Sequence, residues 1–149
     1  MIQRIQTIYL FIAFLASAIL FFNIPFAVFQ ITSPVSVELP FNLMSKYQNV
    51  TTLPLLILNA LVVGLSFAAI LLYNKRTLQL RITMFSFLAN IIFIIVLFFS
   101  ADSLQKHLNV DAIYKFGSFI PLVVLVMLIL ASKAIKKDEK LVKDTDRLR

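Results

Sequence analysis

The residues best able to do chemistry in this chain are uncharged polar side chains set within long apolar stretches. Asn59 and Ser66 share one helical face by their spacing, and Thr83, Ser86 and Asn90 share another by steps of three and four. Such side chains can form hydrogen bonds between helices in an apolar medium. The pattern predicts a polar seam where two helices meet, with a hydrogen bond between Asn59 and Asn90.

This seam has two interpretations. It can hold helices together, which we favour, or it can line a solute path in a small oligomeric transporter or channel. Ionisable side chains are expensive within a membrane and usually mark ion or proton pathways. The apolar stretches of this chain contain no Asp, Glu or His, so proton-coupled transport through carboxylates lacks its usual residues.

Catalytic and cofactor chemistry finds little support in the sequence. There is no cysteine, and the single histidine, His107, lies outside the apolar stretches. A multi-histidine metal site therefore cannot form, and an intramembrane serine–histidine pair has no base. Only Gly64 and Gly117 are available for a phosphate-binding loop. We expect no enzyme, no metal and no cofactor; a lipid-directed enzyme is a third option that would need His107 and acidic loop residues at the membrane surface.

The elements that must position these side chains are predicted from composition. Hydrophobic residues make up 60% of the 149 positions and charged residues 14%, with a mean hydropathy of +0.94. Globular domains average about a quarter charged residues, so a bilayer is the expected solvent. The apolar runs are continuous and do not alternate, which favours helices over barrel strands. We expect an all-α integral membrane protein with one domain over residues 1–149.

Four apolar segments are long enough to cross a bilayer core of ~30 Å, which needs about 20 helical residues. The predicted helices cover residues 5–23, 53–73, 80–99 and 116–135. The first could instead be a cleaved signal peptide, because Ala16-Ser17-Ala18 resembles a cleavage site. The residues after that site are still apolar, so a retained helix is favoured. The sequence therefore predicts a bundle of four transmembrane helices.

The connecting segments differ in kind. Residues 30–50 form a first outer loop, in which the alternating VSVEL predicts a short strand. The second outer loop, SADSLQKHLNVDAIY, could contain a short amphipathic helix. The inner link YNKRTLQLR is tight, so the second and third helices are expected to form an antiparallel hairpin. Residues 136–149 form a charged tail that is expected to be solvated and partly helical.

Basic residues gather on the side of the predicted membrane that holds both termini. Eleven of the 14 lie there: Arg4, Lys75, Arg76, Arg81, Lys133, Lys136, Lys137, Lys140, Lys143, Arg147 and Arg149. Cytoplasmic flanks carry excess Lys and Arg, so both termini are predicted to be cytoplasmic. This topology accounts for the positive charge, and nucleic acid is not an expected partner. The residues expected to contact lipid headgroups or a protein partner are Arg76, Arg81, Lys133, Lys136 and Lys137.

A ridge of small residues is a second packing feature of the second helix. Ala60, Gly64 and Ala68 recur every four residues, a spacing that lets helices approach closely. The expected neighbour is the first helix, through Ala13 and Ser17, although a second copy or another protein could pack there. With two packing faces, the second helix is expected to be central.

Three motifs carry a resemblance to a known family. The start MIQRIQTIYL, the inner link YNKRTLQLRI and the end IKKDEKLVKDTDRLR together resemble the bacterial domain-of-unknown-function family 4293, small four-helix inner-membrane proteins of Bacteroidota. The resemblance implies a multi-pass protein of the cytoplasmic membrane of a Gram-negative bacterium, and it implies no activity. The expected function is an accessory or scaffolding subunit that associates in the membrane with itself or with a protein partner, surrounded by lipid.

Overall fold

The computed structural model describes residues 3–22, 24, 26–31, 35–39, 53–109 and 111–147. Its four helices are α1 (Gln3–Ile19), α2 (Leu53–Leu71), α3 (Arg76–Leu108) and α4 (Ile120–Arg147). Its three strands are β1 (Ala27–Ile31), β2 (Val35–Leu39) and β3 (Ala112–Tyr114), and a short 3-10 helix, Phe116–Phe119, leads into α4. The architecture is a helical bundle with a small sheet at one end.

Three of these helices are long and apolar enough to cross a membrane. Their apolar spans are Leu53–Leu71, Arg76–Lys106 and Phe116–Val142, and an 18-residue stretch of each has a mean hydropathy of 2.3, 2.6 and 2.4, respectively. The apolar part of α1, Ile5–Ile19, is shorter. At ~1.5 Å per residue it reaches about 22 Å, less than the ~30 Å of a hydrocarbon core. The sequence predicts four membrane-spanning helices. Within the described part of the chain, three helices have the length expected of a span.

The helices pack as a ring in chain order. α1 packs against α2 and α4, and α3 also packs against α2 and α4. Each helix thus has two principal neighbours, and the expectation that α2 would be central is wrong. The start of α1 lies beside the second half of α4, because Nε2 of Gln6 donates a hydrogen bond to the carbonyl of Ala134 at 3.1 Å. We call the end with the start of α1, the α2–α3 link and the end of α4 the inner end, and the sheet end the outer end.

Apolar side chains fill the centre of the ring in two clusters. The cluster at the outer end includes Leu20, Leu55, Phe93, Leu97 and Ile120. The other, farther toward the inner end, includes Leu10, Ala13, Val62, Val124 and Leu128. On α3 and on α4, the buried residues of the two clusters are spaced by three or four positions, as expected for one buried helical face. The two clusters position the polar side chains that lie among them.

The sheet at the outer end has the strand order β2-β1-β3, with antiparallel pairs. The predicted strand VSVEL forms β2, and its Val35 pairs with Ile31 of β1. β1 begins before the predicted loop and overlaps its first two residues. β3 comes from the second outer loop, where Tyr114 pairs with Ala27. Residues 40–52, the remainder of the first outer loop and its junction with α2, lie outside the described residues.

Both α3 and α4 extend beyond their predicted spans. α3 begins at Arg76 and continues to Leu108, so the short helix expected in the second outer loop is the end of α3 itself. It stops where Asn109 takes a left-handed conformation, with φ of 50°, a common way to end a helix. α4 continues to Arg147, so the charged tail belongs to the same helix as the apolar span.

Candidate functional site

The polar seam predicted from the sequence lies inside the bundle. Ser66, Thr83 and Ser86 are 0% exposed, and Asn59 and Asn90 are 2% exposed. The hydroxyls of Ser66 and Ser86 are hydrogen-bonded, with their Oγ atoms 3.1 Å apart. The structure therefore brings the serines of α2 and α3 together across the interface between these helices.

The two asparagines have other partners than the predicted ones. Nδ2 of Asn59 donates to the carbonyl of Ser17 in α1 at 3.2 Å, and Nδ2 of Asn90 donates to the carbonyl of Pro121 in α4 at 3.0 Å. The predicted Asn59–Asn90 hydrogen bond is wrong. The ring places a third helix within reach of each asparagine. The Ser17 carbonyl lies in the last turn of α1 and also accepts a hydrogen bond from the backbone N–H of Leu20 at 3.3 Å.

Two glutamines absent from the predicted seam also link helices. Nε2 of Gln79 donates to the carbonyl of Ala69 at 3.1 Å, which is again a carbonyl in the last turn of a helix. Gln6 links α1 to α4 as described above, and both glutamines are buried. The sequence held a sign of Gln79, because it precedes Thr83 by four residues and so shares the predicted face.

We call the side chains that make these interhelical hydrogen bonds the polar belt: Gln6, Asn59, Ser66, Gln79, Ser86 and Asn90. Its members connect α1 with α2, α2 with α3, α3 with α4, and α4 with α1. Thr83 shares their face but bonds within its own helix, where its Oγ1 donates to the carbonyl of Gln79 at 2.8 Å. Every neighbouring pair of helices is thus joined by at least one belt hydrogen bond.

An ion pair joins α3 to α4 at the inner end. Nε of Arg76 lies 3.3 Å from Oδ2 of Asp138, and their side chains are 28% and 10% exposed. Arg76 makes this contact within the chain, and its contact with lipid headgroups or a protein partner stays a prediction. Asp138, expected in a solvated tail, is buried because it continues the inward face of α4 three residues after the buried Ile135.

Two buried atoms of the ion pair have no hydrogen-bond partner. Among the residues that the structure describes, the buried side-chain nitrogen and oxygen atoms without a hydrogen-bond partner are Nη1 of Arg76 and Oδ2 of Asp138. Oδ2 lies within ion-pair distance of Nε, but the pair lacks hydrogen-bond alignment. The hydrogen-bonding groups of the ion pair are thus less fully satisfied than those of the polar belt.

The ridge of small residues faces outward. Ala60 and Gly64 are exposed, and Ala68 is half-buried. Apart from the chain neighbours of Gly64 and the local helix backbone, no atom lies within 4 Å of the place that a Cβ of residue 64 would occupy. The predicted contact of this ridge with Ala13 and Ser17 of α1 is wrong, since both of these residues are buried inside the ring. The polar belt occupies the inward face of α2, which leaves the ridge on the opposite face.

The other candidate headgroup contacts are on the surface. The exposed members of this set are Arg81, Lys133, Lys136 and Lys137. Their contact with lipid headgroups or a partner stays a prediction. Within the described ranges, no three His, Asp or Glu side chains are grouped to hold a metal ion, and the side chain of His107 lies outside what is described.

These features define a class: a small ring of four helices, three of them long and apolar enough to cross a membrane, joined internally by polar side chains. The chain belongs to the family described as Domain of unknown function (DUF4293), whose family model matches residues 2–148. The predicted family is thereby confirmed over nearly the whole chain. No curated protein and no solved structure matches the sequence.

Proposed function

We propose that this protein is a non-enzymatic accessory or scaffolding subunit of a bacterial inner membrane, packing within the bilayer against itself or a larger complex. The observation that carries this proposal is the polar belt. Its amide and hydroxyl groups are buried and engaged in hydrogen bonds that hold the ring together. Their role is explained by the fold, with no need for a substrate.

The outer surface of the ring supports insertion into a membrane. One face of α3 carries a stripe of large apolar side chains in steps of three and four, each at least half exposed: Phe85, Leu88, Ile92, Ile95 and Phe99. Soluble monomers rarely expose continuous apolar patches beyond a few hundred Å². Lipid is the solvent that such a surface fits. The basic residues near the inner end favour a cytoplasmic location for that end.

The geometry of the seam supports a scaffold over a transporter. A transport path requires polar groups that face a cavity or a water-filled route. Here the hydroxyls of Ser66 and Ser86 face each other, and the amides of Asn59 and Asn90 face backbone carbonyls of neighbouring helices. With exposures of 0 to 2%, these side chains form closed contacts between helices.

The outward face of α2 offers a surface where a partner helix would pack. Small residues at four-residue spacing allow close backbone approach in a bilayer. At Gly64 this face is open, since no atom beyond its chain neighbours and the local helix backbone lies within 4 Å of the place where a Cβ would be. A larger residue there would fit the isolated ring and obstruct a partner helix.

The test is purification of the tagged protein from its native membrane in a mild detergent. We expect an intact particle heavier than the 17.0 kDa chain, with a second copy or another reproducible chain. Gly64→Leu should release the partner and leave the fold intact. Val126→Leu is the matched control, because Val126 is also an outward-facing residue, 50% exposed, on a different helix.

A particle of one chain with no reproducible partner would contradict the scaffold role. Flux of a solute into reconstituted vesicles that disappears in Asn90→Leu would favour the transporter instead. Loss of the partner in both Gly64→Leu and Val126→Leu would indicate that the partner does not bind specifically at the ridge.

A further inference from the structure

A groove of about 200 Å³ lies between α3 and α4, nearer the inner end than the outer end. The residues that line it are Met84, Phe87, Ile129, Ser132, Lys133 and Lys136. Its walls are mainly apolar, and the hydroxyl of Ser132 donates to the carbonyl of Leu128 in its own helix. The groove therefore combines an apolar floor with two ammonium groups.

The two lysines stand one helical turn apart and are both exposed. In the described part of the chain, the two salt bridges are Arg76–Asp138 and Lys106–Asp102, and neither involves these lysines. Their ammonium groups are thus available to a negatively charged ligand. The groove is smaller than the ~300–1,000 Å³ of typical small-molecule pockets, so it suits part of a ligand whose remainder lies outside the protein.

We propose that this groove binds one anionic glycerophospholipid. The lipid phosphate lies between Lys133 and Lys136, and the first part of one acyl chain lies against Met84, Phe87 and Ile129. Basic pockets between membrane helices on the cytoplasmic side bind anionic headgroups in this way. The inference rests on the membrane insertion proposed above and does not depend on the scaffold role.

The order of groups along the groove matches this ligand. Ile129 lies one turn before Lys133 on α4, on the side away from the inner end, so the apolar contact is deeper in the membrane than the charge. A phospholipid of the inner leaflet has its phosphate and acyl chain in the same order. Lys140 is exposed on the same helix but does not line the groove, which makes it a matched control.

The experiment is native mass spectrometry of the full chain released from bilayers of phosphatidylglycerol and phosphatidylcholine. One phosphatidylglycerol should remain on each protomer. The double variant Lys133→Ala/Lys136→Ala should reduce its retention by on the order of tenfold, whereas Lys140→Ala should leave it unchanged. Ile129→Trp, which fills the groove without changing the charge, should also reduce retention.

Retention that is unaffected in Lys133→Ala/Lys136→Ala, or equally reduced in Lys140→Ala, would overturn the site. Displacement of the bound species by millimolar inorganic phosphate would show that a free anion, and not a lipid, is recognised. Failure of the proposed membrane insertion is distinguished from failure of the lipid site, because a chain that does not insert would retain neither phosphatidylglycerol nor phosphatidylcholine. The mass of the particle in the same spectra reports separately on the scaffold role.

Discussion

The polar belt and the Arg76–Asp138 ion pair join the helices by different chemistry. In the belt, neutral amides and hydroxyls are fully buried and make hydrogen bonds to other helices. The ion pair joins the first turn of α3 to α4 at the inner end, with one side chain still 28% exposed. Neutral hydrogen bonds cost little in an apolar medium once satisfied, whereas buried charges are costly even when paired. In the membrane orientation proposed above, the ion pair therefore lies where water and headgroups are close.

The largest effect is expected from breaking the ion pair on its exposed side. Arg76→Ala leaves Asp138, whose side chain is only 10% exposed, as a buried carboxylate without its cation. Removing one partner of a buried pair is strongly destabilising, and the partial exposure of Arg76 reduces the effect here to about 2 kcal/mol. Unfolding in a titration with sodium dodecyl sulfate, followed by circular dichroism, measures this loss.

The reverse change provides the comparison. Asp138→Ala should cost less, about 1 kcal/mol, because the more exposed guanidinium of Arg76 can reach water or lipid phosphate. The double variant Arg76→Ala/Asp138→Ala should be more stable than Arg76→Ala alone. Equal losses for the two single variants would mean that the ion pair is solvated and that its contrast with the polar belt does not hold.

A smaller effect is expected on the buried face of α3, where two side chains one turn apart differ in their partners: Gln79 bonds to another helix and Thr83 bonds within its own helix. Gln79→Leu removes a hydrogen bond to the last turn of α2 and leaves the Ala69 carbonyl without that donor, at a cost of about 1 kcal/mol. Thr83→Val removes a hydrogen bond within α3 and should be nearly neutral. The same detergent titration compares them, and a larger loss in Thr83→Val would contradict the role given to the belt.

The faces of the helices could be predicted from the sequence, but the partners could not. The three- and four-residue spacing of Ser86 and Asn90 places both on the inward face of α3, as the structure shows. Which helix lies opposite that face depends on the order of the ring. Asn90 reaches α4, while Ser86 reaches α2. A helical period gives the direction of a side chain on its own helix and carries no information on the neighbour that it meets.

Two further features were missed for different physical reasons. β3 pairs with β1 across more than 80 residues of chain, and no local pattern specifies so distant a partner. The sequence predicts Asp138 in solvent, because the apolar run ends before it. Its spacing from Ile135, however, continues the buried face of α4. Hydropathy locates the span that lipid can cover, whereas the periodic face continues wherever another helix supplies the contact.

The smallest effect is expected at the hydrogen bond between Ser66 and Ser86. A double-mutant cycle with Ser66→Ala and Ser86→Ala should give a coupling energy of about 0.6 kcal/mol, typical of hydrogen bonds between helices in membranes. Each single variant leaves one buried hydroxyl without its partner, while the double variant leaves two small apolar residues that pack closely, so the double change should cost less than the sum of the singles. Zero coupling would mean that the hydroxyls find equivalent partners on their own helices, as Thr83 does. The α2–α3 interface would then depend on Gln79 and apolar packing. The contrast between the polar belt and the Arg76–Asp138 ion pair would then be supported by fewer hydrogen bonds.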